Sequence, residues 1–458
     1  MNFLIVSLFD DNFGDMLIRI CFERILKTVL KNLNIRESDY TIDRMSLKEI
    51  EEDKIICSNV IFFAGGGVFG LSYLNLFDGF DILTKIAEEH HIPVFFSSLG
   101  TNNMDTTEED YQKLSELLKR GCVKAMSVRE NPEIFRYYAK DCSYEIVPVC
   151  DPAIWTKHVY AQEIQKVCMK KNSSCRTVGI NVVRGGIFKD NNKTWTLKAE
   201  EECLIGLKKL LENEGIIVIF FTNGSTLDDN SMMHFAQKYE IADEQLIYPN
   251  TTREVVETIA GFDAVVTIRM HASIISYALD IPSLDLVWND KIVFFYQNIG
   301  YPDRAISLEE CTPELLFEKT KLLLEDTAYA ADQDYKMSLY RWLYNVLSKL
   351  LQIDDGLMYS FEDVAKELAL YGVSVDDDIL DYRYKIKRGE KRYFSLFTKN
   401  NDTKDQLAKD RKELAKARKE LAKEQKKSAK LQEHLDRINS KFVVRIYRKL
   451  RRIFVKQK

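Results

Sequence analysis

Two successive runs in which short apolar stretches alternate with helical ones leave this chain few folds to choose from. In the first run, Phe3 to Leu8, Val60 to Ala64, Pro93 to Ser97, Val123 to Val128 and Glu145 to Val149 read as strands. A parallel strand needs a long crossover before its neighbour, so this alternation specifies a doubly wound parallel sheet. Asp151-Pro152 interrupts the pattern, and a second alternation follows at Val178 to Val183, Ile216 to Phe221, Ala264 to Ile268 and Ser283 to Val287. The expectation is an α/β chain with two Rossmann-like parallel-sheet domains facing a cleft, then a helical extension. Local signals agree. After the first strand, Leu17, Ile18, Cys21, Phe22, Ile25, Val29 and Leu30 give a helix one apolar face. Thr251-Thr252-Arg253-Glu254 reads as a capping box, and Gly261 stands where a left-handed residue ends a helix.

Length and composition bound the rest. With 458 residues, 46% of them hydrophobic, the chain can bury more than one core. The expected divisions are 1–155 and 156–395 for the two sheets with their helical return, 396–440 for a charged helix, and 441–458 for a basic tail. The N-terminus lacks the basic region and cleavage site of a signal peptide, and no run approaches the roughly 20 apolar residues that cross a bilayer. Nine cysteines without Cys-x-x-Cys pairs or Cys/His clusters argue against a metal site and a disulfide framework, and for a reducing cytoplasm. A net charge of −5 singles out no partner.

Glycines and polar residues recur just after the strands. Asn12, Gly14 and Asp15 follow the first, Gly65-Gly66-Gly67 the second, Gly100 the third and Arg129 the fourth. In the second half Arg184, then Thr222-Asn223-Gly224, then Arg269 and His271 do the same. Open α/β sheets bind ligands beyond the carboxyl ends of their strands, so two such sheets hinged near residues 151–177 would gather these side chains in one cleft. In DAVVTIRMHASIISYALDIPSL, a strand at 264–268 passes Arg269 and His271 to the start of a helix expected at 272–279. A cation and an imidazole beside free helix N–H groups suit a phosphate or carboxylate. A lone Arg-x-His is ordinarily a core ion pair and a hydrogen-bonded histidine, but the shared placement of so many polar residues favours an anion site.

The elements Asn12-Phe13-Gly14-Asp15, Ala64 to Gly70, Ser127-Val128-Arg129-Glu130, Asn181-Val182-Val183-Arg184, Thr267 to Ala272 and Leu286 to Ile292 resemble, in order and spacing, the polysaccharide pyruvyl transferase family. The resemblance implies a GT-B-like pair of domains and an enzyme that needs no cofactor. It would move pyruvate from phosphoenolpyruvate to sugar hydroxyls as a cyclic ketal, on a surface polysaccharide or its lipid-linked precursor. It assigns donor binding to Arg269 and catalysis to His271, with Arg184 and Lys291 as further donor ligands. Asn12, Gly14, Gly65, Gly66, Gly67 and Arg129 would line the cleft. Where the family shows an acidic residue and a serine after its Ser-x-Arg, this chain has Glu130-Asn131-Pro132.

The chemistry agrees. A donor with a phosphate and a carboxylate calls for fixed cations, and arginine offers a planar fork that stays charged. Ketal formation needs a group that titrates near neutrality, which is His271, and a base for the sugar hydroxyl, for which Asp15 is the choice. A GT-B glycosyltransferase using a nucleotide sugar, and a catalytically silent membrane-tethered scaffold, are the rival functions.

Beyond residue 396 the composition turns to Lys, Glu, Ala and Leu. Leu407, Leu414 and Leu421 lie seven apart, the spacing of a coiled coil that would make a homo-oligomer through 400–440. The seam between them holds Asp410, Ala417 and Glu424, so a solvated single helix fits equally. The last segment, KFVVRIYRKLRRIFVKQK, carries no acid and sets its apolar residues on one helical face. Such helices lie in membrane interfaces, with about 1 kcal/mol of attraction per basic residue to anionic lipid. Its bulky apolar stripe argues against nucleic acid, and a partner helix is the alternative. The expectation is an enzyme at the inner face of the cell membrane.

Overall fold

The computed structural model describes residues 1–9, 12–70, 77–102, 108–171, 175–191, 193–326, 329–353, 356–399, 414–423 and 425–430. The chain divides into two compact units, Met1–Gly389 and Glu390–Lys458. The first holds two six-stranded sheets, and every strand pair in them is parallel. One runs β2-β1-β3-β4-β5-β6, from β1 (Asn2–Ser7), β2 (Thr41–Ser46), β3 (Val60–Gly70), β4 (Val94–Asn102), β5 (Val123–Val128) and β6 (Ile146–Pro148). The other runs β12-β11-β10-β7-β8-β9, from β7 (Thr177–Asn181), β8 (Ile217–Phe221), β9 (Leu246–Ile247), β10 (Ala264–Thr267), β11 (Ser283–Val287) and β12 (Ala305–Ser307). These are the two parallel α/β sheets that the alternating pattern implies, in the GT-B-like pairing that the family resemblance implies.

Three details correct the reading of the sequence. The glycine triplet does not follow a strand. β3 runs through it to Gly70, with positive φ at Gly65 and Gly66 and a register shift between Gly67 and Phe69. The missing side chain at Gly65 admits the first helix, since a Cβ there would fall 2.6 Å from Ile18 Cγ2. Gly261 ends its helix with φ −75 and not in the left-handed region. The Thr251 hydroxyl does accept from the Glu254 N–H, but Glu254 turns its carboxylate to the Asn250 N–H at 2.7 Å, so only half of the capping box forms.

The helix Phe13–Asn32 is buried almost throughout, packed between the first sheet and the late helices Gln333–Leu351 and Phe361–Tyr371. The start of the next helix, Val375–Lys399, fastens both lobes. Asp377 pairs with Arg19 and Arg24 of the first helix, while Asp378 pairs with Arg253 and Asp381 accepts from the Thr252 N–H. In the second unit, residues 414–423 and 425–430 are helical and Leu414 and Leu421 are exposed. Leu407 and the basic segment 441–458 lie outside the described residues. Among those described, no helix is long and apolar enough to cross a membrane.

Candidate active site

The lobes meet at the carboxyl ends of their strands, and the first turn of the Phe13–Asn32 helix makes the contact. The Phe13 N–H donates to the Asn223 carbonyl at 3.3 Å, and the Phe13 ring lies where a side chain on Gly224, at φ +84, would stand. One residue on, Gly14 receives the His271 ring, for a Cβ there would lie 2.2 Å from Nδ1. Asn12 donates to Asp15 at 2.8 Å and orients its carboxylate.

From the first sheet comes Arg129, at the end of β5 and 5% exposed. Its Nε donates to Glu130 at 3.1 Å, and its Nη1 to Asp151. Glu130 also accepts from the Thr101 N–H at 2.9 Å. The guanidinium lies across the strand ends where Gly67 and Gly100 have no side chains, and a Cβ on Gly100 would fall 2.6 Å from its Nε.

From the second sheet come Arg269, His271 and Lys291. Arg269 makes a bidentate pair with the fully buried Asp228, Nε at 3.0 Å and Nη2 at 2.6 Å. This is the core ion pair that an isolated Arg-x-His suggests, yet it holds the guanidinium's charge close enough to act on the imidazole. His271 opens the helix Met270–Ala278, and its Nε2 is buried with no hydrogen-bond partner among the described residues. Burial, followed by the charges of Arg129, Lys291 and Arg269, holds the imidazole well below the usual histidine range. Lys291, in the first turn after β11, lies 4.6 Å from the centre of the Trp288 ring. Burial and Arg129 bring its amine down to about 8, against the pull of Glu130 and Asp15.

Gly14, Asp15, Arg129, Arg269, His271 and Lys291 are thus brought together. The Arg184 side chain is not. It pairs with Asp190 at 2.6 Å, and its backbone N–H reaches Asp228 at 2.8 Å. Asn12 serves Asp15, and Gly65 serves helix packing. Sequence reasoning missed Asp151, Asp228 and Trp288. Asp151 carried only the signal of a pattern break before Pro152, and Asp228 none, since it lies inside a helix far along the chain from Arg269. Three cations thus surround a buried imidazole nitrogen, an arrangement whose charge suits a ligand with anionic groups.

Residues 12–291 match the family described as polysaccharide pyruvyl transferase. Among curated proteins no sequence relative matches the chain. Solved structures similar to it include UDP-GlcNAc 2-epimerase from Neisseria meningitidis, 11% identical, covering 77% of this chain and 100% of that one, with a TM-score of 0.47. The epimerase from Methanocaldococcus jannaschii is 9% identical, with coverages of 76% and 99% and a TM-score of 0.48. Sucrose-phosphate synthase from Thermosynechococcus elongatus is 8% identical, with coverages of 77% and 98% and a TM-score of 0.42.

Proposed function

The chain belongs to the polysaccharide pyruvyl transferase family, and from that premise we propose that it moves pyruvate from phosphoenolpyruvate to two hydroxyls of a sugar as a cyclic ketal. The observation that carries the reading is His271 itself, a buried imidazole with an unpartnered Nε2 between three cations. The donor's phosphate and carboxylate fit Lys291, Arg269 and Arg129, of which Lys291 makes no ion pair among the described residues.

In the free enzyme burial, and after it the surrounding cations, disfavour the protonated form of His271. A bound trianionic donor offsets them and raises the imidazole's proton affinity, so that protonation accompanies binding. His271 then delivers that proton to the enol methylene, which becomes the methyl group and leaves a cationic C2. A sugar hydroxyl adds to C2 and gives up its proton, for which Asp15 is positioned beside Arg129 and Lys291. The C2–O bond to phosphate breaks, phosphate departs with a proton, and the second hydroxyl adds with loss of its own. One proton enters at carbon and two leave from oxygen, one of them with phosphate, so the sum balances.

The basic segment 441–458 would hold the enzyme at an anionic membrane surface, where a lipid-linked acceptor is presented. The assignment is tested by ligand-dependent thermal stability of the purified chain. Phosphoenolpyruvate is expected to raise the melting temperature and nucleotide sugars to leave it unchanged. Stabilisation by a nucleotide sugar alone would replace this reading with glycosyl transfer.

A further inference from the structure

Trp288 touches both loops that carry the second lobe's cations. It follows β11 and is 6% exposed. Its ring face lies under the Lys291 ammonium, 4.6 Å away, and its Nε1–H donates to the carbonyl of Ile268, the residue before Arg269. Indole can do both at once because its face is electron-rich while its nitrogen only donates. Asn289 fixes the same loop from within, its side-chain oxygen accepting from the Lys291 N–H at 3.1 Å.

We propose that Trp288 is a positioning residue for donor binding, setting where the Lys291 ammonium stands relative to the Arg269–His271 turn. This deepens the function proposed above and rests on it for the role of Lys291. The support is needed because Lys291 is half-buried and faces Arg129 and Arg269, with Glu130 and Asp15 as the opposing charges. An electron-rich face beside the ammonium favours its charged form, and the tether to Ile268 keeps the β10 turn from drifting away from it.

Two substitutions separate these contributions. Trp288→Phe keeps a ring face and removes the N–H, whereas Trp288→Met keeps bulk and removes both. Competitive acetylation of Lys291 across pH, read by peptide mass spectrometry, gives the amine's titration midpoint without any substrate. The parent is expected near 8, the Phe variant with it, and the Met variant lower by about half a pH unit. With phosphoenolpyruvate, the Phe variant is expected to raise KM several-fold and to hold kcat within about twofold, the signature of lost binding rather than lost chemistry. Equal midpoints in all three proteins overturn the proposal. If the Met variant fails to fold by circular dichroism, the Phe variant decides, and an unchanged KM overturns the proposal. If the parent turns over no phosphoenolpyruvate, the functional assignment fails while the labelling midpoints still decide whether Trp288 governs Lys291.

Discussion

His271 rests its ring on the backbone of Gly14, so close that a Cβ on the glycine would fall 2.2 Å from Nδ1. The imidazole to which we assign the proton transfer is therefore held by the opposite lobe, at the first turn of the helix that also presents Asp15. Gly14→Ala must displace either the ring or the helix start. A displacement of about 1 Å at a reacting group costs on the order of 100-fold in rate. The variant is expected to lose at least that much in kcat while its far-ultraviolet circular dichroism stays that of the parent. Full activity in Gly14→Ala would place the imidazole elsewhere.

Arg269 and Asp228 form a fork-to-fork pair, which lysine cannot reproduce. Arg269→Lys is expected to lower kcat/KM about 100-fold and stability by about 1–3 kcal/mol, because the buried Asp228 loses a partner. Steady-state kinetics and urea denaturation measure the two separately. A lysine variant with parental kcat/KM would show that charge alone suffices.

The pH dependence of donor binding follows from two lowered groups. Lys291 holds its proton below about 8, so affinity for phosphoenolpyruvate is expected to fall as pH rises past that value. His271, lowered in the free site, is expected to gain a proton on binding. Calorimetry at pH near 7.5 in buffers of different ionisation enthalpy should therefore report net proton uptake. An enthalpy independent of the buffer contradicts the coupling.

Asp377 is fully buried and pairs with Arg19 at 3.2 Å and with Arg24. Asp377→Asn removes one of the two buried carboxylates that balance those arginines, leaving them only Glu23, and is expected to cost about 3 kcal/mol by urea denaturation. Glu23 belongs to the same network. Burial works against its charge, but the hydrogen bond from Arg44 and the charges of Arg24 and Arg19 hold it near 2. Its contribution is present above the unfolded value near 4.5 and is lost as pH falls through 2. Acid unfolding monitored by circular dichroism should begin below the unfolded value, and Glu23→Gln should flatten the acid limb.

The strands that alternate with helices were legible because each is a short, mostly apolar stretch between helical segments, and β5 and β11 begin and end where the pattern places them. β2 was not, since TIDRMS is an edge strand whose outer residues are exposed and polar. β9, with two residues, is too short to carry a pattern. Of the site, the residues at strand ends were legible by position. Asp228 and Asp151 were not, because a counter-ion is defined by what lies across from it in space. Arg184 illustrates the same limit from the other side, since Asp190, only six residues away in the chain, takes its guanidinium.

The most direct measurement follows phosphate release and the saccharide's mass together, with phosphoenolpyruvate as donor, for the parent enzyme and for His271→Ala. The account predicts that the parent releases one phosphate for each pyruvate found as a ketal, and that the alanine variant does neither at a comparable rate while still binding the donor. Undiminished phosphate release from His271→Ala would contradict it.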